Sequence, residues 1–549
     1  MFSFLKRKIK IQNNKLQAPI ILKNRLKFLI LFFIFCFVVI ITRLSFISLQ
    51  KPKTKILTHA ARYNRYISIT DVDRLPVTDR NDIIIASDIE TVSLFINKEL
   101  LENPSQTAIE ISKILTDLDF NYLFHKISNI PERTQYILIK KNLAPQQQLE
   151  LKKLGLASVA FKKNKTRIYP HNNLFSHTIG YTDIDRNGLS GLEKQYDTYL
   201  KNPLNIPLKT TLDIRVQNIL KQEMLKGMTK FKPKAMSGII MNARNGQILA
   251  VVSLPDFNPN NQTAATQEQK FNRATYGVYE IGSIFKLFTI AAALETKSIK
   301  LSDVYEVAKP IKYGKYTIKD MHFKKRKMTV EEILIYSSNI GAAKIALELG
   351  EEIQQQFLKK ANLLNKLQSD FPSLGRPLYP KNWRIINLMT ISYGHGIAVT
   401  PLHVVTSVSG LVNDGVMHNP KFTFQAKDTN INLISKKSSK NMRKLMRKTV
   451  IEGTGWRANT LGYSVGGKTG TAEKIVDGKY SEDKTRVAFI ASFPMNNPYL
   501  TVFIMLDEPD GTDAGRMNTA SALAAPIVSR IIENIAPILG VIPSVDRIE

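Results

Sequence analysis

Residues 279–289 read YEIGSIFKLFT, an apolar run broken by one serine, Ser283, and three residues later by one lysine, Lys286. Positions i and i+3 share a face of a helix, so this spacing lets the lysine amine reach the serine hydroxyl. The polar edge of an ordinary helix looks the same, and setting has to decide. Ser-x-x-Lys occurs at Ser3/Lys6, Ser48/Lys51, Ser283/Lys286 and Ser481/Lys484. Ser3 stands in a basic tail, Ser48 at the end of a long apolar segment, and Ser481 in DGKYSEDKTR, which reads as a solvated loop. Only Ser283 follows a glycine at a predicted helix start, with Lys286 among Phe285, Leu287 and Phe288. A free lysine titrates near 10.4, and each unit of downward shift costs about 1.4 kcal/mol. Apolar burial and a second cation are the two ways to supply that shift and turn the amine into a base.

Two downstream patterns suit the same chemistry. Ser337-Ser338-Asn339 falls where one predicted helix ends and another begins, a place that presents a hydroxyl and an amide to a cleft. The plainer reading is that Ser337 or Ser338 caps the second helix. Ser439-Lys440-Asn441, within SKKSSKNMRKLMRK, shows how readily that pattern arises. Residues 465–474, VGGKTGTAEK, form a predicted strand. There Lys468, Thr469 and Thr471 offer donors to a carboxylate, and Gly470 leaves room for an extended ligand along the strand. An edge strand with a flexible turn is the plainer alternative.

The surrounding texture predicts an α+β architecture, an antiparallel sheet built from both ends of a domain and flanked by inserted helices. SGIIMNARNGQILAVVSLP (237–255) reads as a hairpin turning at Asn245-Gly246, VAFIASFP (487–494) and YLTVFIMLD (499–507) as strands. Helices are predicted over 283–296, 329–338 and 339–350, with Thr329 and Glu332 forming a capping box and Gly350 a left-handed cap. NTASALAAPIVSRIIENI (518–535) has an apolar helical face, and residues 528–542 read as amphipathic rather than membrane-spanning.

At 549 residues the chain is too long for one core and predicts two to four domains. The formal charge of +31 invites a nucleic-acid reading. No zinc-finger, RNP-type or helix-turn-helix pattern accompanies it, and the lysines are dispersed, so no nucleic-acid partner is expected. The same charge suits an anionic membrane or cell wall. Cys36 is the sole cysteine, which leaves no disulfide and no thiolate metal site. Residues 28–49 are apolar apart from Arg43, long enough to cross a bilayer, and Arg43 can snorkel to the headgroups. Eight Lys and Arg from Lys6 to Lys27 precede that segment, and no acidic residue appears before Asp71. This bias predicts a cytoplasmic tail (1–27), an uncleaved signal anchor (28–49) and an exported remainder. A cleaved signal peptide would need a shorter apolar core and a small-x-small site, which are not evident.

Ser-x-x-Lys, Ser-x-Asn and Lys-Thr-Gly-Thr in this order resemble the active-site set of penicillin-binding proteins and serine β-lactamases. Further segments extend the likeness over nearly the whole chain to class B penicillin-binding proteins, most closely their cell-division, FtsI-type branch, also called penicillin-binding protein 3. They are RLPVTDRNDIIIA (74–86), RIYPHNNLFSHTIGYTDIDRNGLSGLEKQYDTYL (167–200), LKTTLDIRVQ (208–217), YGHGIAVTPLH (393–403) and GTGWRANTLGYSVGGKTGTAEK (453–474). Ile281, Ile284, Leu75 and Asp82 depart from the family pattern. His395 and His403 stand where glutamine is common and are expected to be structural. The resemblance implies a pedestal of the dimerisation type over 50–205 and a transpeptidase domain over 206–549.

It also implies a D,D-transpeptidase without metal or cofactor. Ser283 would attack the D-Ala-D-Ala bond of a peptidoglycan stem peptide with Lys286 as base. Ser337 would relay a proton, Asn339 would position substrate and Lys286, and Lys468, Thr469 and Thr471 would hold the terminal carboxylate, with Gly470 completing the substrate-binding set. An acceptor amine would complete the cross-link, and β-lactams would acylate Ser283. The expected setting is the inner membrane, with the catalytic domain periplasmic and an FtsW-like glycosyltransferase and other division proteins as partners. An elongation-type penicillin-binding protein 2, a β-lactamase or β-lactam sensor, and a non-catalytic scaffold are the alternatives.

Overall fold

The computed structural model describes residues 27–43, 45, 73–320, 326–476, 479–510 and 519–543. The chain divides into two units, residues 1–71 and 72–549. In the first, residues 27–43 and 45 are helical, and apolar side chains such as Phe28, Leu31 and Phe35 are exposed. Among the described residues no helix is long and apolar enough to cross a membrane. The rest of the expected span, residues 44 and 46–49, lies outside the described residues, as do the basic tail up to 26 and the pairs Ser3/Lys6 and Ser48/Lys51.

The second unit begins with a twisted sheet. Its long strand β1 (Ile84–Asn97) pairs antiparallel with both β2 (Tyr136–Leu143) and β3 (Val159–Ile168). Leu94 and Ile96 of β1 pack on Ala108, Ile111, Leu123 and Ile127 from the helices Pro104–Ile114 and Phe120–Ser128. Beside this small core lies a buried ion cluster. The Glu193 carboxylate accepts from Arg74 Nε and Arg167 Nε, each at 2.7 Å, while Asp88 accepts from Arg167 and Arg186 at 3.2 and 2.7 Å. These carboxylates and guanidiniums come from 74–88 and 167–193, so the cluster ties the two ends of this region together.

The main core surrounds a five-stranded antiparallel sheet. Its strands are β4 (Ala235–Asn242), β5 (Ile248–Leu254), β6 (Gly466–Val476), β7 (Lys479–Phe493) and β8 (Leu500–Asp507), ordered β6-β7-β8-β4-β5. Every residue of β4 and β5 is buried, because helices cover both faces. On one face Val216, Leu220 and Met224 of α1 (Ile214–Phe231) meet Ile527, Val528 and Ile531 of the C-terminal helix Ala520–Ile538. On the other, Ile239 and Met241 pack with Phe288 of α2 (Lys286–Glu295) and with Val405 and Val408 of the fully buried helix Pro401–Val412. The strands thus come from both ends of the domain, with helices inserted between them.

Local signals set most of these elements. The Thr329/Glu332 capping box starts α3 (Val330–Ile335), with reciprocal bonds of 3.2 and 2.9 Å. Two expectations change. Ser481 lies on β7 opposite Lys474, since the β6–β7 hairpin extends far beyond the body of the sheet. Gly350, which closes α4 (Asn339–Leu349), has ψ 160° with its positive φ of 82°, so the chain leaves in an extended direction rather than through a left-handed turn.

Candidate active site

β6 is the edge strand of the main sheet, and the turn bearing Ser283 is seated on it backbone to backbone. Gly282–Phe285 form a single 3-10 turn that runs straight into α2, so Ser283 and Lys286 stand at the very start of the helix. Gly282 has a φ of +56°, which L side chains avoid, and a Cβ there would lie 2.2 Å from the Thr471 carbonyl oxygen. A Cβ on Gly470 would lie 2.3 Å from the Ile281 carbonyl oxygen. This contact by itself demands glycine at 470, to seat the turn on the strand.

Lys286 is fully buried, and Ser283 is partly exposed. The Lys286 Nζ contacts are the Ser337 carbonyl oxygen at 2.7 Å, Asn339 Oδ1 at 2.7 Å, Ser283 Oγ at 2.9 Å and Ser337 Oγ at 3.1 Å. A neutral amine has two hydrogens and one lone pair. The carbonyl and amide oxygens only accept, so they take the two hydrogens and leave the lone pair for a hydroxyl proton. Burial first, and then the neighbouring Lys468 charge, hold the Lys286 amine well below its ordinary value of 10.5, against an opposing pull from Asp320. The neutral, proton-accepting form is the one this environment favours.

The two serines before Asn339 divide the roles that sequence left open between them. Ser338 is the N-cap of α4, its Oγ accepting from Gly341 N–H at 2.9 Å. Ser337 sits in the left-handed region at φ +62°, and both its carbonyl and its hydroxyl face Lys286. Its Oγ also accepts from Lys468 Nζ at 2.9 Å. Ser439, by contrast, is a buried residue within the helix Lys436–Ile451.

Lys468 is fully buried, and burial draws its amine down to about 7. Its Nζ lies 3.3 Å from Thr469 Oγ1, and the partly exposed Thr471 follows on β6. Thr454 Oγ1 sits 2.9 Å from Thr469 Oγ1 and steadies that hydroxyl. His395 packs its ring against Tyr393 and Tyr480, and His403 bridges Thr400 and the Asn365 carbonyl.

Sequence reasoning missed Asp320. Its carboxylate accepts from the N–H groups of Asn339 and Ile340 at 2.5 and 3.0 Å and from Ser338 Oγ at 2.7 Å. No local pattern marks it, since it approaches the start of α4 from a separate hairpin, Ile311–Tyr313 with Tyr316–Ile318. Glu280 was missed as well. It accepts from Gly396 N–H at 2.9 Å and from the Tyr480 hydroxyl, tying the Ser283 turn to the 394–396 loop and to β7.

Comparison with known proteins agrees with this geometry. The family model described as penicillin binding protein transpeptidase domain matches residues 236–533, and that of the penicillin-binding protein dimerisation domain matches 69–203. A Caulobacter vibrioides protein named "Probable peptidoglycan D,D-transpeptidase FtsI" is 31% identical, covering 93% of this chain and 87% of its own. Stage V sporulation protein D of Bacillus subtilis is 29% identical over 97% and 88%. A solved structure from Atopobium parvulum, 20% identical, shares the fold with a TM-score of 0.67 over 86% of this chain and 99% of that one. With a transpeptidase model spanning more than half its length and such a relative over nearly all of it, the chain belongs to the class B penicillin-binding proteins, the transpeptidase family.

Proposed function

We propose that the protein is a serine D,D-transpeptidase that cross-links peptidoglycan stem peptides during septal wall synthesis. Ser283 Oγ attacks the carbonyl carbon of the penultimate D-alanine while its proton passes to the Lys286 Nζ lone pair. The N–H groups of Ser283 and Thr471 receive the developing oxyanion, a term worth about 2.7–4 kcal/mol per donor in another serine enzyme. Collapse breaks the C–N bond, the leaving amine takes a proton through Ser337 Oγ, and D-alanine departs from a Ser283 ester. An amine of a second strand then attacks that ester, forming the new amide and returning the proton to Ser283.

Asn339 orients Lys286 and the substrate amide. The terminal carboxylate meets the Thr469 and Thr471 hydroxyls, with the Lys468 amine beside Thr469 Oγ1, and the donor peptide lies along the open edge of β6. The observation that carries this reading is the Lys286 amine, buried, held by two acceptor-only oxygens and 2.9 Å from Ser283 Oγ.

Residues 28–49 act as the membrane anchor, with 1–27 cytoplasmic, a pedestal over 50–205 and the transpeptidase domain over 206–549 outside. The exposed apolar helix at 27–43 after a basic tail supports that arrangement. An FtsW-like glycosyltransferase supplies the glycan strands, together with other division proteins. A fluorescent penicillin should label the wild-type chain and not Ser283→Ala; equal labelling of both would refute the assignment. Depletion in cells should give long filaments, whereas round, swollen cells would move the role to lateral-wall growth.

A further inference from the structure

We propose that Asp320 is a positioning residue of this site, which holds the Ser337-Ser338-Asn339 junction against Lys286 and supplies the amine with a negative counter-charge. The inference rests on Ser283 as nucleophile and Lys286 as its base. Asp320 meets the junction at three consecutive residues: the Ser338 hydroxyl and the N–H groups of Asn339 and Ile340. Together with the Ser338 cap on Gly341 N–H, this satisfies the first three backbone donors of α4.

The residue before it completes the hold. The Lys319 carbonyl accepts from Asn339 Nδ2 at 3.1 Å, which turns Asn339 Oδ1 toward Lys286 Nζ, 2.7 Å away. Asn339 is thus fixed at its backbone by Asp320 and at its amide by Lys319. Neither contact involves the reacting atoms, so the action on catalysis runs through Asn339 and Ser337.

Charge supplies the second half. The groups facing Lys286 are Ser283 on its own turn, Ser337 and Asn339 at the junction, Lys468 on β6, His395 on the 394–396 loop and Asp320. Burial and Lys468 favour the neutral amine, and Asp320 opposes them. A base works best with its pKa near the working pH, and a carboxylate at this place keeps a strongly desolvated lysine from losing too much basicity.

The test is the rate at which a fluorescent penicillin acylates the full chain, followed against pH for wild type, Asp320→Asn and Asp320→Ala. Asparagine keeps the shape and an acceptor oxygen but removes the charge, so its acid limb should move about one unit lower in pH. Alanine should move the limb the same way and also lower the plateau about tenfold or more, as the junction loses its hold. A merely structural aspartate would lower the rate at every pH without moving the limb. An unmoved limb in Asp320→Asn, with the wild type labelled at Ser283, overturns this inference alone. A wild-type chain that is not labelled at Ser283 overturns the catalytic reading and this inference with it. Should the alanine variant not fold, the asparagine variant carries the test.

Discussion

Lys286 and Lys468 share one hydroxyl: their Nζ atoms lie 3.1 and 2.9 Å from Ser337 Oγ. Two fully protonated amines would repel across that oxygen, and burial already disfavours both charges. The pair therefore works with a proton fewer than two exposed lysines would carry, and Ser337 lies on the path between them.

Lys468→Gln should raise the basicity of Lys286, because it removes the second of the two influences that depress it while burial remains. The sign follows directly. A higher pKa means that more acid-side pH range finds Lys286 protonated, so the acid limb of acylation moves to higher pH and the rate at neutral pH falls by about tenfold or more. Penicillin acylation measured against pH checks both.

Ser337→Ala and Ser338→Ala should separate although the residues are neighbours. Loss of the Ser337 hydroxyl removes the bridge between the lysines and should slow acylation by about 10²-fold or more. Loss of the Ser338 hydroxyl removes a helix cap and should cost about 0.5–2 kcal/mol of stability, with a smaller effect on rate. Acylation rates paired with denaturant midpoints distinguish them, and equal rates in both variants would refute the division.

Gly470→Ala places a methyl 2.3 Å from the Ile281 carbonyl oxygen, so the Ser283 turn must lift from β6. Acylation should fall by about tenfold or more, since Ser283, the proposed nucleophile, and Thr471, proposed to donate to the oxyanion, sit on the two sides of that contact. The far-ultraviolet circular dichroism should stay that of the wild type. Retained acylation would show that the strand yields instead.

Glu193→Ala should destabilise the region around residues 74–200 by about 3–5 kcal/mol, because it leaves Arg74 and Arg167 buried without their shared carboxylate. Denaturant unfolding of the purified chain checks the loss.

Acid should weaken the fold between pH 6.5 and about 4. Burial holds His177, His395 and His403 each at about 4, below the ordinary 6.5. In that window the unfolded histidines bind protons and the folded ones do not, so stability falls as pH falls, by roughly 1.4 kcal/mol per pH unit for each. Acid melts of His403→Gln should show a shallower slope over the same window, and an unchanged slope would exclude His403 as a contributor.

Much of this architecture is legible along the chain. The Thr329/Glu332 box, the Asn245-Gly246 turn and the apolar runs of β4, β5, β7 and β8 act within a few residues, and the structure builds each where those signals put it. Other positions gave no such signal or gave a misleading one. Ser481 sits in a charged stretch yet lies on β7, since strand pairing with Lys474 outweighs local composition. Asp320 has no pattern at all, because its partners belong to a helix 18 to 20 residues further on.

By itself the sequence determined that Ser283 and Lys286 share a face, that a serine pair precedes a helix at Asn339, and that Lys468, Thr469 and Thr471 lie on one strand. Those are short-range consequences of helix pitch, capping and strand pleat. Only the tertiary structure decided that Ser337 rather than Ser338 faces the lysines, that Asp320 holds the junction, and that Gly470 is required by a backbone contact. Burial, charge and close packing act through space, and here they join groups 51 and 131 residues apart in the chain.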